Sequence, residues 1–473
     1  MKYFKKIIRQ GQLHLLSNTS PEKLIKLGEQ RVIERFRNAA KNVPFYHVLL
    51  KENNINWKKI NSIKTFRKYC PLLNKENTFE RFQIHELCYP GALDTLASVL
   101  TSSGHSGRYA FGLTTHKQKQ ESNDMIDQGL ELSFEVDKYK TLVINCLPMG
   151  VGFDSNVVTI ASTSVREDMV MALVQKFAPF YEQIVLVGDP LFLKKLADYS
   201  HTMNVNWSEH RIHLVIGEEP FGENYRHYLS QQFGINEDKP EDGFIASSMG
   251  TGELGLNLFF ETRYTIELRR RIHQNPLLLK ELFNLNPTKD PLPMIFAFNP
   301  LRTYIEALSN ETYNFGKLAV SVLDRNSPLP LFRYQTGDLA ALLSHQAIDD
   351  AFIKYNLPPL SQPRTALPLV AILGRDKDTL PNGLNINRFK DALFANPKLA
   401  HCLTGAFRIE DKSGTMHIHV QLRRNIDPSD NLRNLLIQSL PGQLSKQQLS
   451  LYSFNTFPYG MDLDYERKFT YFE

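Results

Sequence analysis

The chain has 473 residues, 42% hydrophobic and 22% charged, the composition of a globular protein with room for a large core and more than one domain. No apolar run approaches the ~18 residues of a membrane span, and no ~7–15-residue apolar stretch of a secretory leader follows the basic start MKYFKKIIRQGQLHLL. Net charge is +5 but uneven: Met1 to Lys75 holds 17 Lys and Arg against 4 Asp and Glu, a surplus of +13, and the remainder carries −8.

A basic arm can meet nucleic acid or an anionic membrane surface. The sequence has neither the aromatic-plus-basic pattern of an RNA reader nor zinc-finger spacing, so solvated helix faces are expected there and no nucleic-acid partner. Cys70, Cys88, Cys146 and Cys402 lie far apart with no metal-ligand or CxxC spacing. They read as reduced thiols in a cytoplasmic enzyme.

In chain order, apolar positions at helical spacing predict a helix over 21–42, with Pro21 near its start. Pro44, in VPFYHVLL, breaks it. From about residue 100 to 338, short β-rich runs (TLVINCL, QIVLVG, IHLVIG, DGFIASS) alternate with helical segments (DPLFLKKLADYS, FGENYRHYLSQQFG). That alternation predicts an α/β domain with a mostly parallel sheet, whose ligands sit at the carboxyl ends of the strands. The last hundred residues read as a small α+β unit, ferredoxin-like in order. It comprises a strand in LPLVAILG, a helix in INRFKDALFAN, a hairpin in AFRIEDKSGTMHIHVQLRR, a helix in DPSDNLRNLLIQSL and a strand in LSLYSFNTF. His417 and His419, two apart on that hairpin, can ligate a metal only with a third group, and a solvated face is the simpler expectation.

Several loops carry candidate chemistry. LTSSGHSGRYA concentrates hydroxyls and glycines, which let backbone N–H groups converge on a phosphate. It is neither a Walker A loop nor a G-x-S-x-G elbow. VIGEEP offers a Gly turn and a Pro for one wall of a purine slot. SSMGTGELG places Glu253 where a hard carboxylate can ligate Mg²⁺ beside phosphates. In PLFRYQTGDL, Asp338 follows a Gly in a tight turn and can accept from both hydroxyls of a ribose. GRDKDTL carries Arg375, and Lys468 stands close to the chain end.

Taken together, VPFYHVLL, TSSGHSGRYAFGLTT, VGDPLFLKKLADY, IGEEPFGENYRHYLSQQFG, SMGTGELG, PLFRYQTGDL and GRDKDTLPNGLNI resemble, in order and spacing, the AMP-forming acyl-CoA synthetases, in particular their phenylacetate-CoA ligase-like branch. The resemblance covers nearly the whole chain. It implies a large N-terminal α/β adenylate-forming domain, 1–373, made of a helical basic region (1–99) and an ATP- and acyl-binding core (100–373). A small mobile C-terminal α+β domain, 374–473, follows. It further implies activation of an aryl or fatty acid by ATP and Mg²⁺ to an acyl-adenylate, then transfer to the thiol of CoA. Transfer to a carrier-protein thiol, or nucleotide binding without catalysis, are the alternatives.

The resemblance puts the phosphate loop on Thr101, Ser102, Ser103, Gly104, Ser106 and Gly107, and the adenine-side turn on Gly217, Glu218, Glu219 and Pro220. It puts Met249, Gly250 and Thr251 at the nucleotide, Glu253 on Mg²⁺, Asp338 on the ribose and Arg375 on ribose or phosphate. Lys377 falls at the hinge, Lys468 at the mobile lysine of adenylation, and Phe153 in the acyl pocket. The sequence departs from the family's usual pattern at Met249, where an aromatic is common, at Gly252, where Thr is common, and at His105. The stretch LDYER before Lys468 also lacks the usual Gly.

Overall fold

Ser20 starts a long helix: its side chain accepts from the backbone of Lys23, and Pro21 occupies the first turn, where a missing N–H costs nothing. The computed structural model describes the chain apart from residues 1, 102–108, 149–150, 204, 310–313, 364, 381–382, 413–414, 442–447, 461–468 and 473. It describes no side chains for 2–8, 240, 309 and 376. The N-terminal region is helical: α1 (Lys2–Ser17), α2 (Pro21–Asn42), α3 (Pro44–Glu52), α4 (Ile63–Tyr69) and α5 (Ile84–Leu87). Val43 between α2 and α3 is extended, as the residue before a proline prefers, so Pro44 ends one helix and begins the next. Leu24, Gly28, Val32, Phe36 and Ala39 form the buried stripe of α2.

Next come the hairpin β1 (Leu96–Thr101) and β2 (Phe111–Thr115), then α6 (His116–Phe134). The strand–helix alternation follows as expected: β3 (Thr141–Asn145), β4 (Thr159–Ser162), α7 (Glu167–Phe177), β5 (Gln183–Gly188), α8 (Pro190–Thr202), β6 (Ile212–Ile216), α9 (Glu223–Gln232) and β7 (Ile245–Thr251). An antiparallel stretch completes the sheet: β8 (Gly255–Phe260), α10 (Arg263–Gln274), α11 (Pro276–Phe283), β9 (Met294–Ala297), β10 (Thr303–Ser309), β11 (Gly316–Val322), β12 (Tyr334–Leu343), α12 (His345–Lys354) and β13 (Leu369–Arg375).

The resulting 11-stranded sheet has the order β10-β11-β12-β13-β9-β8-β7-β6-β5-β3-β4. Only the β7-β6-β5-β3-β4 portion is parallel, and every other pairing is antiparallel. The expectation of a mostly parallel sheet therefore holds for one half. β3, β5 and β6 are buried along their whole length, so they read as mostly apolar runs, LVI in β3 and β6 and IVLV in β5.

The basic N-terminal region is no free arm. Phe36 packs edge-on against Tyr46, Phe66 and Phe332 with centroids 5.5–5.7 Å apart, tying α2, α3 and α4 to the segment before β12. Leu73 bridges Tyr334 like an extra strand. Arg9, Arg67 and Arg81 each pair with an acidic side chain.

Beyond Arg375 lie α13 (Ile386–Ala392), α14 (Pro397–Cys402), β14 (Leu403–Lys412), β15 (Thr415–Leu422), α15 (Asp430–Ser439) and β16 (Leu449–Tyr452). The small sheet has the order β14-β15-β16: an antiparallel hairpin, then a parallel pair. With three strands among the described residues it is not the ferredoxin-like arrangement. The LPLVAILG strand belongs to the large sheet, because its buried face completes the antiparallel half between β12 and β9. The hairpin face is not fully solvated either: His419 is buried against the Tyr452 hydroxyl at 2.9 Å. No group of three metal-ligating side chains forms there or elsewhere among the described residues. All four cysteines are free. No described helix is long and apolar enough to cross a membrane.

Candidate functional site

The carboxyl ends of β6 and β7 carry two of the loops singled out in the sequence, VIGEEP and SSMGTGELG. The N–H of Gly217 donates to Gly188 O at 3.0 Å, holding the ends of β5 and β6 together. Glu218 adopts a left-handed φ of 70°, which turns the chain sharply before Pro220. A buried ionic network underpins this turn. Arg269 donates to Phe221 O at 2.6 Å and to Glu223, while Arg226 bridges Glu223 at 3.0 Å and Glu261 at 2.8 Å. Each charge in it has an opposite partner, the condition under which buried ions are tolerated.

Two backbone segments meet next to this end of the sheet. Gly112 on β2 lies against the Gly252 carbonyl, where a Cβ would come within 1.7 Å. The stem of the hydroxyl- and glycine-rich loop therefore rests on the loop that carries Glu253. Thr101 is exposed at the end of β1. Ser102, Ser103, Gly104, His105, Ser106 and Gly107 lie outside the described residues. So does Lys468.

Glu253 is half-buried with Oε2 shielded, and the buried hydroxyl of Tyr334 faces its carboxylate. Burial raises the Tyr334 phenol well above its usual range, and the nearby Glu253 charge adds to the shift. Thr251 also holds a buried, unpartnered hydroxyl, and Met249 packs on the main apolar core. Gly250 admits no side chain, since a Cβ would lie 2.3 Å from Gly255 O.

Asp338 on β12 faces Arg375 on β13 in register, and Arg375 Nε donates to Asp338 Oδ1 at 3.3 Å. Asp338 is 6% exposed, and its Oδ2 has no partner. Burial raises its carboxyl, and Arg375 works against that shift. Arg375 N donates to Asp378 Oδ2 at 2.8 Å, pinning the turn Asp376–Asp378 that exposes Lys377. Asp338 and Arg375 are thus brought together, as are the hairpin stem and Glu253.

Glu219 is arranged differently from a bare slot wall: its carboxylate is taken by Lys390 of α13 at 2.5 Å, beneath the Tyr471 ring. Next to it Asp391, half-buried, accepts from Asn224 N at 2.9 Å and Asn224 Nδ2 at 3.0 Å. Phe153 is half-buried and packs on the face of the parallel strands with Leu147 and Val157. Tyr334, Lys390 and Asp391 were not legible as site neighbours. Tyr334 alone had a signal, standing four residues before Asp338.

No protein-family model matches the chain, and no curated protein matches it by sequence. Solved structures do. 2-Hydroxyisobutyryl-CoA ligase in the postadenylation state, in complex with R3-HIB-AMP, superimposes with a TM-score of 0.65 at 11% identity, over 96% of this chain and 89% of that one. The same ligase with 2-HIB-AMP, again postadenylation, gives 0.63 at 13% identity over 92% and 86%. Its thioesterification state with 2-HIB-AMP and CoA gives 0.54 at 13% identity over 93% and 88%. The likeness is one of fold: this chain has the α/β architecture of AMP-forming CoA ligases.

Proposed function

We propose that the chain is an AMP-forming acid–thiol ligase of the phenylacetate-CoA ligase-like kind. A carboxylate oxygen attacks the α-phosphorus of ATP, the α–β phosphoanhydride bond breaks, and pyrophosphate leaves an acyl-adenylate. The sulfur of CoA, its proton released to solvent, then attacks the acyl carbon. The bond to AMP breaks, and a thioester results.

The observation that carries the reading is the Asp338–Arg375 pair, in which a buried carboxylate keeps one oxygen without a partner. Such an oxygen suits a pair of ribose hydroxyls better than a purely structural ion pair. Arg375 beside it offers a cation to ribose or phosphate. The hairpin seated on the Glu253 loop supports a phosphate cradle made of Thr101, Ser102, Ser103, Gly104, Ser106 and Gly107. Met249, Gly250 and Thr251 line it, and Gly217, Glu218, Glu219 and Pro220 border the base.

The carboxylate of Glu253 fits a Mg²⁺ ligand, since its shielded Oε2 is a hard oxygen donor held only by the neutral Tyr334 hydroxyl. Bound there, Mg²⁺ supplies positive charge to the polyphosphate. Lys468, on a small domain (374–473) that swings about Lys377 against domain 1–373, adds charge to the adenylation transition state and then withdraws. Phe153 lines the acid. The enzyme works in the cytoplasm. Acid-dependent exchange of labelled pyrophosphate into ATP tests the reading.

A further inference from the structure

The hydroxyl- and glycine-rich hairpin leads directly into α6, which carries a carboxylate that is fully buried, Asp127. An unpaired buried carboxylate is costly, so its donors matter. Three of them belong to one loop. Ser155 Oγ donates at 2.5 Å, Asn156 N at 3.0 Å and Asn156 Nδ2 at 3.0 Å. Two turns earlier on α6, Lys119 pairs with Asp154 at 2.7 Å. The segment carrying Phe153 therefore hangs on α6 at two points.

The basic N-terminal helix closes this arrangement. Arg9 of α1 is 8% exposed. Its Nη1 stands 3.6 Å from Asp127 Oδ2, and its Nε donates to Glu131 Oε1 at 2.6 Å. One guanidinium thus spans two carboxylates a helical turn apart and straps α1 across α6. Part of the positive surplus of the first 75 residues has an intramolecular destination.

We propose that Asp127 is a positioning residue for the acid pocket, and that Arg9 tightens it. The chain Arg9–Asp127–Ser155/Asn156 holds segment 151–158 against α6 and so fixes where Phe153 meets the acyl group. The inference rests on the ligase reading and on Phe153 as a lining residue. Asp127 touches no reacting atom, so the clamp acts on binding of the acid and leaves ATP alone.

The test compares Arg9→Met, Arg9→Lys and Ser155→Ala with the parent chain. Readouts are hydrogen exchange of peptides covering 151–158 and pyrophosphate exchange with acid varied at saturating ATP. Arg9→Met and Ser155→Ala are expected to speed exchange in that segment and to raise KM for the acid about tenfold, the scale of removing a charge-assisted hydrogen bond. kcat and KM for ATP should stay within about twofold, because the clamp is equally closed in the ground and transition states. Arg9→Lys should recover part of the loss. A segment that stays protected, or one that loosens with KM for the acid unmoved, overturns the proposal. A parent chain that shows no pyrophosphate exchange with any of the acids offered defeats the ligase reading itself, and the positioning role with it; that outcome is seen before any variant is compared.

Discussion

Gly112 and Gly252 meet backbone to backbone, so closely that a Cβ on Gly112 would sit 1.7 Å from the Gly252 carbonyl oxygen. Gly112 pairs with Leu100 across the hairpin stem, and Gly252 adjoins Glu253. This close approach sets the hairpin stem against the segment that carries Glu253, the carboxylate proposed for Mg²⁺.

Gly112→Ala should force the two segments apart. Overpacking of this kind costs about 1–3 kcal/mol, and the clash is with backbone that cannot rotate away. A lower melting temperature together with weakened ATP binding is expected, from thermal unfolding and a nucleotide titration. ATP affinity unchanged from the parent would separate the hairpin from the nucleotide site.

Asp338→Ala removes the proposed ribose acceptor. Hydrogen bonds to a charged group contribute about 1.5–3 kcal/mol each, so ATP affinity should fall tenfold or more. The fold should persist, because the side chain's one described side-chain ion pair is with Arg375, which is itself partly exposed at 38%. An intact protein that binds ATP as tightly as before would remove Asp338 from the site.

Asp189 caps α8, accepting from Phe192 N at 3.0 Å. Burial nevertheless pushes its carboxyl up to about 7, and the charges of Glu219 and Glu218 add to this. An unfolded Asp titrates near ~3.9. Between about pH 4 and 7 the folded chain therefore keeps a proton that the unfolded chain has lost, and this contribution to stability falls as pH rises. Asp189→Asn keeps the cap without the charge. It should be more stable than the parent by about 1–3 kcal/mol at pH 8, a gap that closes by pH 4. Denaturation midpoints across that range check the sign; a gap that widened toward pH 4 would reverse it.

Lys468→Ala should slow adenylation by ~10²-fold or more, the cost of removing one positive charge from developing negative charge. The same variant, given synthetic acyl-AMP and CoA, should form thioester at close to the parent rate. Lys377→Pro should do the reverse, because a fixed φ locks the turn. Equal losses in both half-reactions for Lys468→Ala would point to a damaged fold or to a different lysine.

The parallel half of the sheet was legible because β3, β5 and β6 are buried on both faces and are mostly apolar. The antiparallel half was not. Strands such as TYIEALS in β10 mix polar and apolar residues, and their pairing is set by partners far along the chain. LPLVAILG shows the same limit: its pattern says strand, while its neighbours β12 and β9 decide which sheet it joins. Within the site, Asp338 and Arg375 each stood out by local context, but their cross-strand register could not be read from either segment. Lys390 and Glu219 are 171 residues apart, and no local pattern links them. Asp127 carries no signal in its own segment, since its burial depends on Ser155 and Asn156 folding back over it.

The central claim is that this chain makes an acyl-adenylate. Exchange of labelled pyrophosphate into ATP, run over aryl, short-chain and long-chain carboxylic acids, measures that step alone. The expected result is label in ATP that depends on at least one acid and is lost in Asp338→Ala. A folded chain that binds ATP yet exchanges no label with any acid would contradict the claim.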